Sequence, residues 1–381
     1  MTLSRCNDRE AVGRNRGRAV AWFAVVGALA ACSSPKPPPD FAPDPGVLAQ
    51  IREIRIHPRT EWACPGQTIT VDYDAVLADG SVVPFARSYD ENHPPALHVV
   101  FLRRTSPAAQ SQQDGDWSTD PDPLVSALDG FPLEVAVAAR PELTASVVIA
   151  PEYSCLPHTF RFVGRAGRRG QAGLPGPDVL VRLNELRSPF YPRLLVLAVE
   201  VGEAPPFFLL QDAEAVSPSD WLVIRSEGGR GGRGVDGVAG APGAKGADGC
   251  PGAQGGPGGA GGAGGPGAPG GPGGPITIVA PAEEPFLAGL VDGQSVGGRG
   301  GAGGGGGKGG PGGEGGSGVV TAGRRCAAGA AGPQGGDGPE GPEGAVGRVG
   351  PRPRVLTVSG SEVFGTRVPF VLQALLDYSR Q

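Results

Sequence analysis

Residues 228–275 read GGR GGR GVD GVA GAP GAK GAD GCP GAQ GGP GGA GGA GGP GAP GGP GGP, with glycine at every third position from Gly228 to Gly273. The same period returns at 297–318 and 329–350, and briefly at 164–176. A strict period of three matches the polyproline II helix, which has three residues per turn and no internal hydrogen bonds. This part of the chain is therefore predicted to pack backbone against backbone rather than around a side-chain core.

Two structures use this period, and they differ in how many rows of glycine they need. A collagen helix winds three chains together and needs one glycine per triplet, whereas a bundle folded from one chain needs glycine or alanine on a second row. In the run at 228–275, the position after glycine is glycine in eight of sixteen triplets and alanine in five. Proline at that position occurs three times in the run at 329–350, which is the most collagen-like. The composition favours a single-chain polyproline II bundle, with a collagen-like trimer as the alternative.

The length of the first run sets a condition on such a bundle. At about 3.1 Å per residue, a straight helix over 228–275 would be a rod of roughly 150 Å. A compact bundle must therefore reverse direction inside the run, and we expect this in the bulkier stretch before Gly252. A Cys250–Cys326 disulfide would then close that turn against the linker between the later runs.

The first residues have the pattern of an export signal. A basic segment at 14–18 is followed by an apolar segment at 19–31, which is shorter than the roughly 20 residues of a membrane span. The segment ends in Leu-Ala-Ala-Cys at 29–32, which resembles a bacterial lipobox. The resemblance implies cleavage before Cys32, attachment of lipid to Cys32 and, because Ser33 rather than aspartate follows, transit to the outer membrane.

Between the signal and the glycine repeats, alternating apolar segments such as 51–56 and 133–137 predict β-strands. Several short strands at this spacing predict an all-β sandwich with little α-helix. We divide the chain into a signal peptide at 1–31, a proline-rich tether at 32–46, a β-sandwich region at 47–227 with a glycine-repeat insertion at 164–178, a glycine-repeat region at 228–353 with strand inserts at 275–296 and 319–328, and a C-terminal strand and short helix at 354–381.

Four cysteines remain once Cys6 leaves with the signal and Cys32 carries lipid. An even number in an exported chain predicts two disulfides, and four cysteines allow three connectivities. Two lie in the first half and two in the glycine-rich half. The economical pairing keeps each disulfide within one half and joins Cys64 to Cys155 and Cys250 to Cys326. Cys64-Pro65-Gly66 ahead of one strand and Cys155 near another resemble the bacterial immunoglobulin-like pattern, in which a disulfide joins two strands.

Candidate chemistry is sparse. Four carboxylates in nine residues, Asp114, Asp116, Asp120 and Asp122, form a weak calcium candidate, with a solvated acidic loop as the default interpretation. The segment 293–297 matches the G-x-S-x-G nucleophile motif, but polyglycine follows it where that motif requires a helix. We predict no cofactor and no catalytic activity. The net charge of −5 excludes a general basic surface for nucleic acid.

As a whole, the chain resembles bacterial collagen-like and glycine-rich surface lipoproteins. Its GGX segments are also similar to glycine-rich antifreeze proteins built from packed polyproline II helices. The resemblance implies a lipid-anchored structural or adhesive protein at the outer membrane or cell surface, with the membrane and extracellular matrix or other surface proteins as partners. We expect a monomer. The alternatives are a homotrimeric collagen-like stalk and a ligand-binding module carried by the sandwich.

Overall fold

The computed structural model describes residues 37–216, 221–366 and 368–381. The predicted signal peptide, the lipid-attachment residue Cys32 and the start of the tether lie outside the described residues. The predicted all-β class is confirmed, because strands dominate and the two α-helices in the described part of the chain are short. Strands lie within 275–296 and 319–328, and a strand and a short helix lie near the C-terminal end of the described residues.

The strands follow one another along the chain as β1 (Ile51–Pro58), β2 (Trp62–Ala63), β3 (Thr68–Ile69), β4 (Val71–Leu77), β5 (Val82–Pro84), β6 (Leu102–Thr105), β7 (Ala109–Ser111), β8 (Trp117–Thr119), β9 (Phe131–Val137), β10 (Arg140–Pro151), β11 (Thr159–Val163), β12 (Val179–Leu186), β13 (Leu194–Val201), β14 (Phe207–Asp212), β15 (Leu222–Glu227), β16 (Ile276–Pro281), β17 (Val291–Val296), β18 (Val320–Thr321), β19 (Arg324–Arg325) and β20 (Arg354–Val358). The α-helices are α1 (Pro45–Gln50) and α2 (Phe370–Ser379). Short 3₁₀ helices occur at Val99–Phe101, Pro123–Ser126, Ala213–Ala215, Pro285–Leu290 and Gly360–Glu362.

The first half of the chain forms three small sheets around one core. Their strand orders are β1-β4-β5, β2-β10-β9-β6 and β3-β8-β7. The alternating burial of β4 places Val71, Tyr73 and Ala75 inside. The apolar segment 97–102 (LHVVFL) also has the pattern of a strand, but β6 begins only at Leu102. His98 Nδ1 accepts the amide of Val100 at 3.1 Å, and this local bond holds Val99–Phe101 in a 3₁₀ turn before β6.

A buried polar pair and a disulfide stabilise this half. The Trp117 side chain is fully buried, and its Nε1 donates to the Tyr73 hydroxyl at 2.7 Å, which in turn donates to the Gly115 carbonyl. The disulfide between Cys64 and Cys155 joins the loop before β3 to the loop after β10. The two predicted disulfides are therefore present, since Cys250 is bonded to Cys326.

The second half contains two facing sheets. One is the parallel sheet β11-β15-β17, and the other is β14-β13-β12-β16-β20, in which β12, β16 and β20 are parallel. Apolar side chains from both sheets, including Leu183, Leu222, Ile224 and Ile278, fill the space between them. Strands from before, between and after the glycine runs therefore share the same two sheets.

The C-terminal helix covers the outer face of the larger sheet. Leu372, Leu375 and Leu376 of α2 are buried in a cluster that also contains Leu194 from β13 and Tyr153 from the first half. Burial of apolar side chains at about 25 cal/mol per Å² is the main stabilising term for such contacts. The cluster joins the two halves of the chain.

Candidate functional site

The glycine repeats form a two-layer assembly of extended segments, which we call the glycine array. Layer A contains segments 164–170, 228–249 and 297–318, and layer B contains segments 171–176, 252–274 and 329–350. The segments contain hardly any α-helix or β-strand, and backbone amides donate to neighbouring segments at intervals of three residues.

Neighbours within a layer run parallel, and neighbours in different layers run antiparallel. Within layer A, Gly231 N donates to Arg299 O at 2.9 Å, and each following glycine donates three residues further along both segments. Between the layers, Gly262 N donates to Val238 O at 2.8 Å, and Gly307 N donates to Gly262 O at 2.9 Å. These bonds satisfy backbone groups that would otherwise be buried without a partner.

The array is a direct continuation of the facing sheets. The strands β11, β15 and β17 lead into the three segments of layer A, and the segments of layer B lead into β12, β16 and β20. Two buried serines mark the change, because Ser226 Oγ donates to Pro177 O at 2.7 Å and Ser295 Oγ donates to Gly274 O at 2.6 Å. The chain thus makes three similar circuits: out through layer A, back through layer B and into the sheets.

The number of glycine rows in each segment follows the number of its neighbours. Segment 297–318 lies against three other segments and has two rows of glycine. A Cβ added at Gly306 would overlap the carbonyl oxygen of Gly338, and one at Gly307 would overlap that of Val238. Segment 329–350 lies at the edge and has one row, and a Cβ at Gly336 would meet nothing within 4 Å. Its prolines therefore reflect an edge position within one chain.

Segment 228–249 changes its pattern where a neighbour ends. Gly229 and Gly232 lie under the short hairpin 164–176, and an added Cβ there would overlap the carbonyl oxygens of Arg165 and Arg168. Beyond the hairpin, the same row carries Val235 and Val238, which are 58% and 78% exposed. Glycine therefore occupies this row where a neighbouring segment packs against it, and larger residues occupy the row where it is exposed.

The two outer faces of the array differ in charge. Outward positions of layer A at 230–248 read Arg, Arg, Asp, Ala, Pro, Lys and Asp, whereas those of layer B at 254–272 read Gln, Pro, Ala, Ala, Pro, Pro and Pro. The edge segment adds Pro333, Pro339 and Pro342 to the layer B face. The outward row of segment 228–249 is therefore charged, whereas that of segment 252–274 is uncharged.

Arginines concentrate where the layer A face meets the sheet. We call this group the arginine cluster, and it lies on β11, β15 and the first triplets of the three layer A segments. Glu227 is buried among them, 2.7 Å from Arg161 and 3.5 Å from Arg225. Its members are Arg161, Arg165, Arg168, Arg169, Arg225, Arg230, Arg233 and Arg299.

The Glu227 carboxylate is held in its charged form. The hydrogen bond from Arg161 lowers its pKa most, and the charges of Arg161, Arg225 and Arg299 lower it further, against the opposing effect of burial. A folded pKa below the unfolded value contributes stability that is present above the unfolded pKa, near 4.3, and is lost as the pH falls through the folded pKa.

We expect Glu227→Gln to destabilise the fold by about 1 kcal/mol at pH 7, because it removes the buried carboxylate that accepts from the partly exposed Arg161. The loss should shrink below about pH 4, where the native carboxylate also becomes protonated. Urea unfolding from pH 3 to 7 measures this. Glu142→Gln is the control, since Glu142 pairs with Arg140 at the surface, where solvent screens the pair, and its loss should change stability little. Equal losses for both variants would contradict the assignment.

The acidic residues that the sequence singled out are engaged in local structure. Asp114 Oδ1 accepts the Asp116 amide at 3.1 Å, Asp120 Oδ1 accepts the Asp122 amide at 2.9 Å, and Asp122 Oδ1 accepts the Leu124 amide at 3.0 Å. Asp116 forms an ion pair with Arg87. In the described ranges, no three His, Cys, Asp or Glu side chains come together as a metal site.

The G-x-S-x-G segment and the predicted chain reversal both belong to the glycine array or to the strand that leads into it. The segment 293–297 belongs to β17 and to the start of a layer A segment, and Ser295 bonds across to layer B. The chain turns between Ala247 and Ala253, in the stretch where a reversal was expected, and Cys250–Cys326 lies at this far end of the array.

A second surface feature is an aromatic groove that the sequence reasoning missed. Phe160 and Phe162 on β11 pack against Phe207 on β14, with ring centroids 5.1 and 6.4 Å apart. Nearby, the rings of His158 and Trp221 stack at 6.2 Å. An open cavity of about 400 Å³ lies beside them, lined by prolines and by Leu156, Phe160 and Phe207 among others. The residues are far apart in sequence, so only the fold brings them together.

Comparisons with known families, characterised proteins and solved structures give no match to this chain. Over the residues that the structure describes, no helix is both long and apolar enough to cross a membrane.

Proposed function

We propose that this chain is a non-catalytic, lipid-anchored structural or adhesive protein of the bacterial outer membrane or cell surface, and that its glycine array is a bundle of polyproline II helices that displays two flat faces. The observation that carries the proposal is the unbroken hydrogen-bond ladder between glycine segments of one chain. A period of three in both sequence and hydrogen bonding fits that helix. Segments of 22 residues would project by roughly 70 Å.

The close packing of the backbones supports a structural role that requires a rigid glycine array. An added Cβ at most glycines of the array would overlap a neighbouring backbone, so the segments leave no space between them for side chains. A flexible glycine linker has no need of such packing. We also infer that the first half is an immunoglobulin-like sandwich, for which the Cys64–Cys155 disulfide is the support.

Sedimentation and circular dichroism of the mature, delipidated chain test the bundle. We expect a monomer with a polyproline II spectrum and a melt independent of concentration, because the glycine rows are already bonded within one chain. A trimer whose melting temperature rises with concentration would support the collagen-like stalk instead. The anchor is tested separately by palmitate labelling, which Cys32→Ser should abolish.

A second candidate function is ligand binding at the aromatic groove. The aromatic side chains Phe160 and Phe207 beside a cavity are suited to an apolar or sugar ligand. Calorimetric titration with oligosaccharides would show binding that Phe207→Ala removes. If no oligosaccharide gave a heat of binding, ligand binding at the groove would be rejected and the structural role would remain.

A further inference from the structure

We infer that the arginine cluster is a binding site for an acidic polysaccharide, that is, a chain carrying regularly spaced carboxylate, sulfate or phosphate groups. The inference deepens the adhesive function proposed above by naming a class of partner. It rests on the placement of the arginines on the layer A face and does not require the lipid anchor.

The topology assembles the cluster from three separate parts of the chain. Gly231 N donates to Arg299 O at 2.9 Å, and Gly170 N donates to Arg233 O at 2.8 Å, so the arginine rows of neighbouring segments lie side by side. In the adjoining sheet, Arg161 and Arg225 are direct partners of neighbouring strands. Residues from 161 to 299 thereby form one continuous basic surface.

Half of the cluster is already paired with carboxylates. Arg161 and Arg225 lie within 4 Å of Glu227, and Arg169 and Arg233 lie 3.0 and 3.1 Å from Asp236. These ion pairs hold the paired arginines in place on the surface.

The other half is free for a ligand. No ion pair to a described residue is made by Arg165, Arg168, Arg230 or Arg299, and all four are exposed. Arg230 and Arg299 occupy the outward row of layer A, and Arg165 and Arg168 occupy the row of the hairpin that borders the free edge of the layer. Four guanidinium groups without an ion pair in this region of a chain with a net charge of −5 create a local positive potential.

The arrangement of the cluster favours an acidic polysaccharide over a single-stranded nucleic acid. Arg230 and the paired Arg233 are one triplet apart, about 9 Å along the segment, so the cluster presents its charges in an extended row. Guanidinium groups bind carboxylate, sulfate and phosphate through paired hydrogen bonds. The aromatic side chains of β11, Phe160 and Phe162, pack against Phe207 and the core instead of beside the arginines, whereas proteins that bind single-stranded nucleic acid stack bases on exposed aromatic rings.

The test measures binding of the mature chain to dextran sulfate, with uncharged dextran as the control ligand. We expect binding only to dextran sulfate, weakening as salt is added because counterions are released. The double variant Arg230→Gln/Arg299→Gln should weaken binding by roughly tenfold or more. It should also reduce the slope of log K against log salt concentration by about two.

The matched control is Arg348→Gln/Arg352→Gln, which removes two exposed arginines outside the cluster and should change binding by less than about twofold. Equal weakening by both double variants, or none by either, would overturn the inference. So would tighter binding to anionic lipid vesicles or single-stranded DNA than to dextran sulfate. Sedimentation of the same variants separates this outcome from a failure of the bundle, since a monomer that does not bind dextran sulfate refutes only the polysaccharide site.

Discussion

Gly307→Ala should destabilise the glycine array by about 3–5 kcal/mol or prevent its assembly, whereas Gly305→Ala, two residues earlier, should change stability by less than about 1 kcal/mol. Both lie in the run of five glycines at 303–307, so their local sequences are nearly the same. At Gly307, an added Cβ would overlap the backbone oxygen of Val238, and only separation of two segments could relieve the overlap. At Gly305, the nearest atoms are side-chain ends, Arg233 Nη2 at 3.5 Å and Asp236 Oδ1 at 3.6 Å.

Thermal and urea unfolding, followed by circular dichroism, measure the difference. Gly305 has no positive φ, so alanine fits its backbone, and its amide still donates to Asp236 Oδ1 at 2.8 Å. A second control is Gly336→Ala in the edge segment, where a Cβ meets open space. Similar losses at Gly305 and Gly307 would mean that the segments are not packed in this register.

Replacing Cys250 and Cys326 by serine should lower stability by about 2–4 kcal/mol, with the loss concentrated at the far end of the array. This disulfide closes a separation of 76 residues and lies at the end remote from the sheets. Beside it, the bonds Gly249 N to Ser317 O and Gly252 N to Ala327 O are 3.1 and 3.0 Å long. Without the cross-link, the turn between layers should open first.

Amide hydrogen exchange locates the effect. Protection should fall at Gly249 and Gly252 and remain at Gly231, close to the sheets. The matched control removes Cys64–Cys155, which should loosen the first half and leave the array protected. A uniform loss of protection along the array would show that its stability is not divided in this way.

Several features of the fold could be predicted from the sequence because they depend on residues that are close together in the chain. The period of three predicted extended glycine segments, and bulkier residues before Gly252 indicated the reversal. Alternating apolar residues identified strands such as β1 and β9. The position of the cysteines along the chain favoured the observed disulfide pairing, although four cysteines allow three connectivities.

Other features have no local signal. Trp117 follows an acidic turn in sequence, yet it is fully buried because Tyr73 on another strand accepts its Nε1–H. The collagen-like prolines of 329–350 mark an edge position, which depends on what packs beside that segment. The arginine cluster also required the register between segments, since its members are spread over 139 positions from 161 to 299.

The sequence by itself determined that this chain would pack through glycine rows, because only glycine lets backbones approach within hydrogen-bonding distance at every turn. It did not show which triplets share a face. A layered fold sends the charged triplets before Gly249 to one side and the proline and alanine triplets after Gly252 to the other. Only the tertiary structure decides this, because the assignment of a residue to a face depends on the reversal of the chain and on the register of its neighbours.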